Sequence, residues 1–146
     1  MIRRGEPDDA TAIADVFAAS LESLTFLPRL HTVEEHRRFI NEIVPRDHEI
    51  WVAEGRNGVV GLAALGRDTL GHLYVHPDEH GRGIGSALLA KTKELRPEGF
   101  TLWTFQQNEG ACRFYERHGL RAIRFTDGSQ TEEKLPDVQY EWTPPS

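Results

Sequence analysis

The chain reads as one mixed α/β domain whose sheet carries both parallel and antiparallel pairs. Three observations predict this. Strand-like apolar runs and helically periodic segments follow one another in the order β-α-α-β-β-β-α-β-α-β-β. Tight turn signals at Asn57-Gly58 and at Gly66-Arg67-Asp68 join three consecutive strands as antiparallel neighbours, while the helical excursions allow parallel ones. The 146 residues fit one hydrophobic core, with no repeat, low-complexity tract or linker to divide them.

Each element has a local reason. Ile2-Arg3-Arg4 is a short first strand. Asp8 and Asp9 offer a helix cap, and Ile13, Val16, Phe17, Leu21 and Leu24 follow at helical spacing until Pro28. Thr32-Val33-Glu34-Glu35 matches a capping box, and Phe39, Ile40, Ile43 and Val44 give a second helix its apolar stripe before Pro45. Strands are predicted from Glu49 to Ala53, Val59 to Leu65 and Leu70 to Val75. A helix runs from about Gly83 to Leu95, with Ile84, Ala87, Leu88 and Leu95 on its buried face, and Pro97 and Gly99 break it. Phe100 to Thr104 is a buried strand, Glu109 to His118 a short helix stopped by Gly119, and Leu120 to Thr126 a strand. A polar loop from Asp127 leads to the alternating strand Val138 to Trp142.

Composition narrows the function classes. A net charge of -6 argues against sequence-independent nucleic-acid binding and is compatible with a cationic substrate. The apolar runs fall far short of the ~20 residues that span a bilayer, and Met1-Ile2-Arg3-Arg4-Gly5-Glu6 lacks a signal-peptide core, so a cytoplasmic protein is expected. The single cysteine, Cys112, allows no internal disulfide and no cysteine zinc cluster.

The chemistry starts at His80-Gly81-Arg82-Gly83-Ile84-Gly85-Ser86, between an apolar strand and an amphipathic helix. Glycine lets backbone approach a ligand closely, and a helix N-terminus presents unpaired N–H groups with a partial positive charge. The stretch is a candidate pyrophosphate seat. A nucleotide P-loop would need Gly-Lys-Ser/Thr, and a dinucleotide fingerprint would need G-x-G-x-x-G early in a βαβ unit; G-x-G-x-G after three hairpin-joined strands is neither.

Two separated motifs decide between owners. His80 to Gly85 resembles the Gln/Arg-x-x-Gly-x-Gly/Ala loop of the GNAT family of N-acetyltransferases, with His80 where Gln or Arg is usual. Asn108-Glu109-Gly110-Ala111-Cys112-Arg113-Phe114-Tyr115-Glu116-Arg117-His118-Gly119-Leu120 is similar to that family's Asn-x-x-Ala-x-x-Phe-Tyr-x-x-x-Gly-Phe/Leu segment. The resemblance covers nearly the whole chain. It implies a single acetyltransferase domain over residues 1–146, acetyl-CoA as donor and an amine as acceptor; no metal is expected, because Pro77 and the strand pattern break the helical spacing of His72, His76 and His80.

What the resemblance implies for residues is specific. The N–H groups from Gly81 to Ser86, including Ile84, would bind the coenzyme's pyrophosphate, and Arg82 would add charge there or else face solvent. The pantetheine arm would lie in a splay between the fourth and fifth strands, pairing with backbone of the Leu73-Tyr74-Val75 strand. A backbone N–H near Val75 would polarise the acetyl carbonyl. Asn108, Ala111 and Phe114 would border the same arm, Asn108 also being readable as a helix cap. Tyr115 would protonate the leaving thiolate. Among candidate bases, His72 stands on the central strand with an ordinary pKa near ~6.5, which suits proton removal at neutral pH; the alternative is a packed histidine.

Other residues carry alternatives. Cys112 reads as a small packing residue, and Pro77 breaks any helical metal face formed by His72, His76 and His80. Phe26, Leu27, Leu30 and His31 are an apolar acceptor wall or core. The loop from Asp127 to Asp137 borders the acceptor, a homodimer contact, or solvent. An enzyme acetylating a primary amine is the leading reading, against a non-catalytic acyl-CoA-binding module and a nucleotide-binding protein.

Overall fold

In the computed structural model, residues 1–145 are described; Ser146, the last position of the predicted domain, lies outside the described residues. Strands β1 (Ile2–Arg4), β2 (Glu49–Gly55), β3 (Gly58–Leu65) and β4 (Leu70–Val75) form one antiparallel sheet in chain order. Strands β5 (Phe100–Phe105), β6 (Arg121–Thr126) and β7 (Asp137–Trp142) form a second, ordered β5-β7-β6 and also antiparallel. The expected parallel pairing shrinks to one bridge, Thr69 with Thr101, beside a 3.1 Å bond from Thr101 N–H to Asp68 O. Beyond that bridge β4 and β5 share no ladder. Two half-sheets therefore meet at one end and open into a wedge towards Val75 and Phe105.

Strand alternation sends side chains to two cores. Val52, Leu62 and Ala64 face α1 (Ala10–Ser23), whose Ile13, Val16 and Phe17 pack on them together with Ile40 and Val44. Ala53, Ala63 and Leu65 face α3 (Ile84–Leu95) and join Leu88 and Leu89. This second core continues into the other half-sheet through Phe100, Leu102, Val138 and Tyr140, and takes in Tyr115 of α4 (Glu109–Arg117). At ~25 cal/mol per Å² of apolar surface removed from water, this shared core, rather than the single bridge, holds the half-sheets together.

One helix start and two helix ends differ from the sequence reading; α1 stops at Ser23, short of Pro28. Pro7–Asp9 is a separate turn with Glu6 and Asp9 in a capping box, so α1 begins at Ala10; the Asp9 carboxylate is bound by both terminal nitrogens of Arg3 at 2.8 Å. Helix α2 keeps regular form only over Val33–Arg38, with Thr32 and Glu35 capping it as expected. It then widens into a π turn, Phe39–Ile43, in which Val44 N–H reaches back to Phe39 O. Pro45 has no N–H for the carbonyl four residues before it and its ring crowds that carbonyl; a wider turn relieves both and keeps Ile40 and Val44 facing the core.

Candidate active site

The loop after β4 enters α3 through two left-handed glycines, Gly81 at φ 82° and Gly83 at φ 78°, conformations that cost a side-chain-bearing residue roughly 1–2 kcal/mol. Open space surrounds both Cα atoms on the side where a Cβ would point. The first backbone bond of the helix runs from Ala87 N–H to Gly83 O, leaving the N–H groups from Gly81 to Ser86 without a backbone partner. Gly85 lies against Phe114, where a Cβ would come within 3.4 Å of the ring, so the two sequence motifs touch. Ser86 Oγ meets His118 Nε2 at 3.0 Å. The loop fits a pyrophosphate: several converging donors at a helix end, with room in front of them.

Arg82 is exposed and pairs with Glu79 at 3.4 Å. It lines, with Arg56 and Ile84, a cleft of about 640 Å³ at the loop's mouth. Arg56 was missed in the sequence because a lone arginine beside a hairpin turn carries no motif; only the fold brings it beside Arg82. A second cleft, of about 570 Å³ around Pro97 and Trp142, lies at the other end of α3, away from this loop.

The β4 edge has a defined register. His76 N–H donates to Val60 O at 2.8 Å, and Tyr74 pairs with Leu62 and His72 with Ala64. By antiparallel alternation, Leu73 and Val75 turn their N–H and C=O groups away from β3, into the wedge. One of these groups is already engaged. Val75 O accepts from His80 Nε2 at 3.0 Å and from Ser20 Oγ at 3.2 Å. His80, at the first position of the glycine motif, thus ties the loop back to the end of the strand, with its proton on Nε2 because a carbonyl only accepts. That leaves the N–H of Val75 and both backbone groups of Leu73 for a ligand.

Tyr115 reaches this region from α4, its ring 5.4 Å from Phe114 and 5.8 Å from Tyr140. Burial pushes its phenol well above the ordinary tyrosine range, and Tyr74 and Cys112 push it further. Asn108 is a helix cap: its Oδ1 accepts from Ala111 N–H at 3.2 Å. Cys112 packs on the shared core with its Sγ 3.8 Å from Phe105 O.

His72 and Tyr74 point to the other face, towards α1 and α2. The His72 ring has Phe17 at 6.2 Å, Phe39 at 5.6 Å and Tyr74 at 5.9 Å between centroids, and Nδ1 is 3.5 Å from the Tyr74 hydroxyl. Burial, with a smaller contribution from His48, lowers its pKa from 6.5 to about 4. The ordinary value expected from sequence is therefore not the value in the fold. Burial also pushes the Tyr74 phenol up to about 12, with Glu133 adding to the shift.

That Glu133 effect brings the β6–β7 loop to the same face. His31, between α1 and α2, holds Glu132 at 2.6 Å through Nε2 and Glu35 at 3.5 Å through Nδ1. Two carboxylates on two ring nitrogens favour the imidazolium, and the His31 pKa is raised accordingly, by Glu132 first and Glu35 second. Phe26 packs edge-on to Phe105 at 5.8 Å, where β5 leaves the wedge. Of the predicted acceptor residues, Phe26 thus reaches the end of β5 and His31 the β6–β7 loop, whereas Leu30 is exposed.

The Acetyltransferase (GNAT) domain family matches residues 46–121, from just before β2 to the start of β6, including both motifs. The chain belongs to the GNAT acetyltransferase family. As a GNAT member it is an acetyl-CoA-dependent acyltransferase. It is 26% identical over 122 residues to the peptidyl-lysine N-acetyltransferase YjaB of Salmonella typhimurium, covering 82% of each chain. The Escherichia coli protein of the same name is 25% identical over 121 residues, covering 82% of this chain and 81% of that one. Among solved structures, a GCN5-related N-acetyltransferase from Rhodopseudomonas palustris superposes with TM-score 0.79 at 25% identity, covering 98% of this chain and 94% of that one. PaiA N-acetyltransferase from Thermoplasma acidophilum, solved with coenzyme A, shares the GNAT fold at TM-score 0.77 and 21% identity, with 98% of both chains covered. No helix among the described residues is long and apolar enough to cross a membrane.

Proposed function

We propose that this GNAT protein transfers acetyl from acetyl-CoA to a primary amine by direct attack in a ternary complex, the acceptor being a lysine side chain of a peptide or a small alkylamine. The observation that carries the reading is the wedge itself: the free backbone groups of Leu73 and Val75 line it, and the unpartnered N–H row from Gly81 to Ser86 lies at its mouth. A phosphate-bearing thioester needs both, one to align the acyl end and one to anchor the far end. The relatives named for peptidyl-lysine support a lysine acceptor. Glu132 and Glu133, close to the same opening, favour a cation there.

The chain's residues divide the work. The loop N–H groups hold pyrophosphate, with Arg82 and Arg56 on the same side. The Val75 N–H donates to the acetyl oxygen as charge builds on it, and the backbone groups of Leu73 pair with the pantetheine arm. His72, neutral at pH 7, takes up transiently the proton that an ammonium must lose before its nitrogen can attack; with a pKa of about 4 against ~10 for the amine, it passes the proton on rather than keeping it. Tyr115 faces the leaving sulfur. A phenol at ~10 is already roughly 2 kcal/mol uphill from a thiol at ~8.5, and burial widens the gap. Tyr115 therefore keeps its proton and stabilises the thiolate by hydrogen bonding.

The test is thiol release from acetyl-CoA across lysine peptides and small amines, with a thermal shift against CoA and ATP. Amine-dependent release and stabilisation by CoA are expected. No release above the hydrolysis blank with any amine would overturn the reading.

A further inference from the structure

Acetylation of an ammonium liberates a proton. R–NH3+ and acetyl-S-CoA become R–NH–acetyl, CoA-SH and H+. An N–C bond forms, the C–S bond breaks, and nitrogen loses two protons, of which the thiolate keeps one. The other must leave the protein every turnover. His72, partly buried among Phe17, Phe39 and Tyr74, holds it poorly: with a pKa of about 4 its imidazolium at neutral pH soon returns the proton unless another base takes it.

His48, the residue before β2, is built as that base. Its ring lies 6.1 Å from the His72 ring between centroids. Its Nδ1 lies 2.6 Å from Asp47 Oδ1 and 3.2 Å from Val44 O. Both oxygens only accept, so Nδ1 carries the hydrogen and Nε2 keeps a lone pair, which no group among the described residues engages. The seat for the ring is cut into β4. The β3–β4 register passes from Ala64–His72 to Leu65–Leu70 and skips Gly71. A Cβ on Gly71 would stand 2.5 Å from His48 Nε2 and 2.8 Å from its Cδ2. The bulge and the missing side chain together admit the imidazole beside His72. The His48 side chain is 20% exposed and that of Asp47 79%, so the pair runs from the interior to solvent. Arg96 is nearby but turned to the Gly66 carbonyl, which it binds at 2.8 and 3.0 Å.

We propose that Asp47 and His48 are the proton exit for acetyl transfer: His48 Nε2 receives, directly or across one water, the proton that His72 takes from the acceptor, and Asp47 holds the resulting imidazolium until solvent removes it. The proposal rests on His72 being the proton acceptor. His48 is a positioning residue in the sense that it acts through His72 and touches no substrate. Charge on His48 lowers proton affinity at His72, so the two rings are charged in turn rather than together.

The test is the rate of thiol release with the best amine of the panel, in a bulky buffer at pH 7, with added imidazole as a second variable corrected for its own reaction with the thioester. His48→Gln and Gly71→Ala are expected to lower kcat about 10-fold and Asp47→Asn less, at unchanged KM for acetyl-CoA. Imidazole should restore kcat in His48→Gln and leave His72→Gln unrestored. A merely structural role for His48 would not respond to a diffusible base. Full kcat in His48→Gln, or a loss that imidazole does not repair in a variant that melts normally, overturns the exit. If His72→Gln alone is impaired, only the exit fails; if His72→Gln is also fully active, the reading of His72 fails with it. Should His48→Gln and Gly71→Ala not fold, the exposed Asp47→Asn carries the test by the same imidazole response, and its absence counts against the proposal.

Discussion

Burial moves the proton affinities of Tyr115 and His72 in opposite senses, because it disfavours the charged form of each: the phenolate of one, the imidazolium of the other. A tyrosine that stays protonated contributes a hydrogen bond to developing negative charge. Tyr115→Phe should therefore lower kcat about 10-fold, or ~1.4 kcal/mol, while acetyl-CoA affinity by calorimetry changes less than about 2-fold. Equal kcat would remove the phenol from the reaction. For His72 the sign is fixed by a folded pKa of about 4, below the ordinary 6.5. The ring is proton-free and competent above about pH 4 and loses competence only as pH falls through that value. A pH–rate profile should thus show no inflection from His72 near neutrality, and its low-pH limb should vanish in His72→Gln. Between 6.5 and 4 the unfolded chain binds the proton that the folded chain refuses, so this histidine costs stability as pH falls through that range. The residue was legible in the sequence, but its pKa was not. Its position on a strand follows from Leu70 to Val75, whereas the rings that bury it, Phe17 and Phe39, come from distant helices.

Among the elements, those with local causes were the readable ones. The Thr32–Glu35 capping box and the glycines before α3 each specify backbone within a few residues and stand where their chemistry puts them; the β2–β3 hairpin forms as well, although it turns at Arg56-Asn57 and Gly58, at φ 117°, already opens β3. The β6–β7 loop has no such local cause. Its bond to His31 spans 101 residues, and Glu133 acts on Tyr74 from a different strand pair. Polar composition therefore left acceptor wall, dimer contact and solvated loop equally open. Gly128 offers a way to test the first of these. It sits at φ 80°, and a Cβ there would lie 2.0 Å from Leu135 O and 2.2 Å from Leu135 C, both backbone atoms. The left-handed φ alone costs about 1–3 kcal/mol for another residue, and the clash cannot be relieved by a side-chain rotation. Gly128→Ala should open the loop and move Glu132 and Glu133 away from His31 and Tyr74. The expected result is an acceptor KM raised several-fold at constant KM for acetyl-CoA. An acceptor KM that does not change would assign the loop to another role.

At the scale of the whole molecule, two half-sheets share one core, a single parallel bridge and a wedge that widens away from it. Strand order alone suggested parallel pairing here. The missing ladder follows from the splay, since the hydrogen-bonding edge of β4 past the bridge is turned to open space rather than to β5. A ligand in the wedge would supply the pairing that β5 withholds, much as an added strand completes a sheet edge. Binding of acetyl-CoA should then tie the half-sheets together and stabilise the fold as a unit, by about 2.7 kcal/mol at a free concentration 100 times its Kd. Hydrogen exchange locates the effect. The Val75 and Leu73 amides, which face the wedge, should slow on adding acetyl-CoA, as should those from Gly81 to Ser86. The Tyr74 amide, already paired with β3, should change least. The alternating pattern is the decisive part. Protection of the glycine loop with Leu73 and Val75 unaffected would mean that phosphate is held while the thioester arm lies elsewhere, and the wedge would lose its part in aligning the acetyl group.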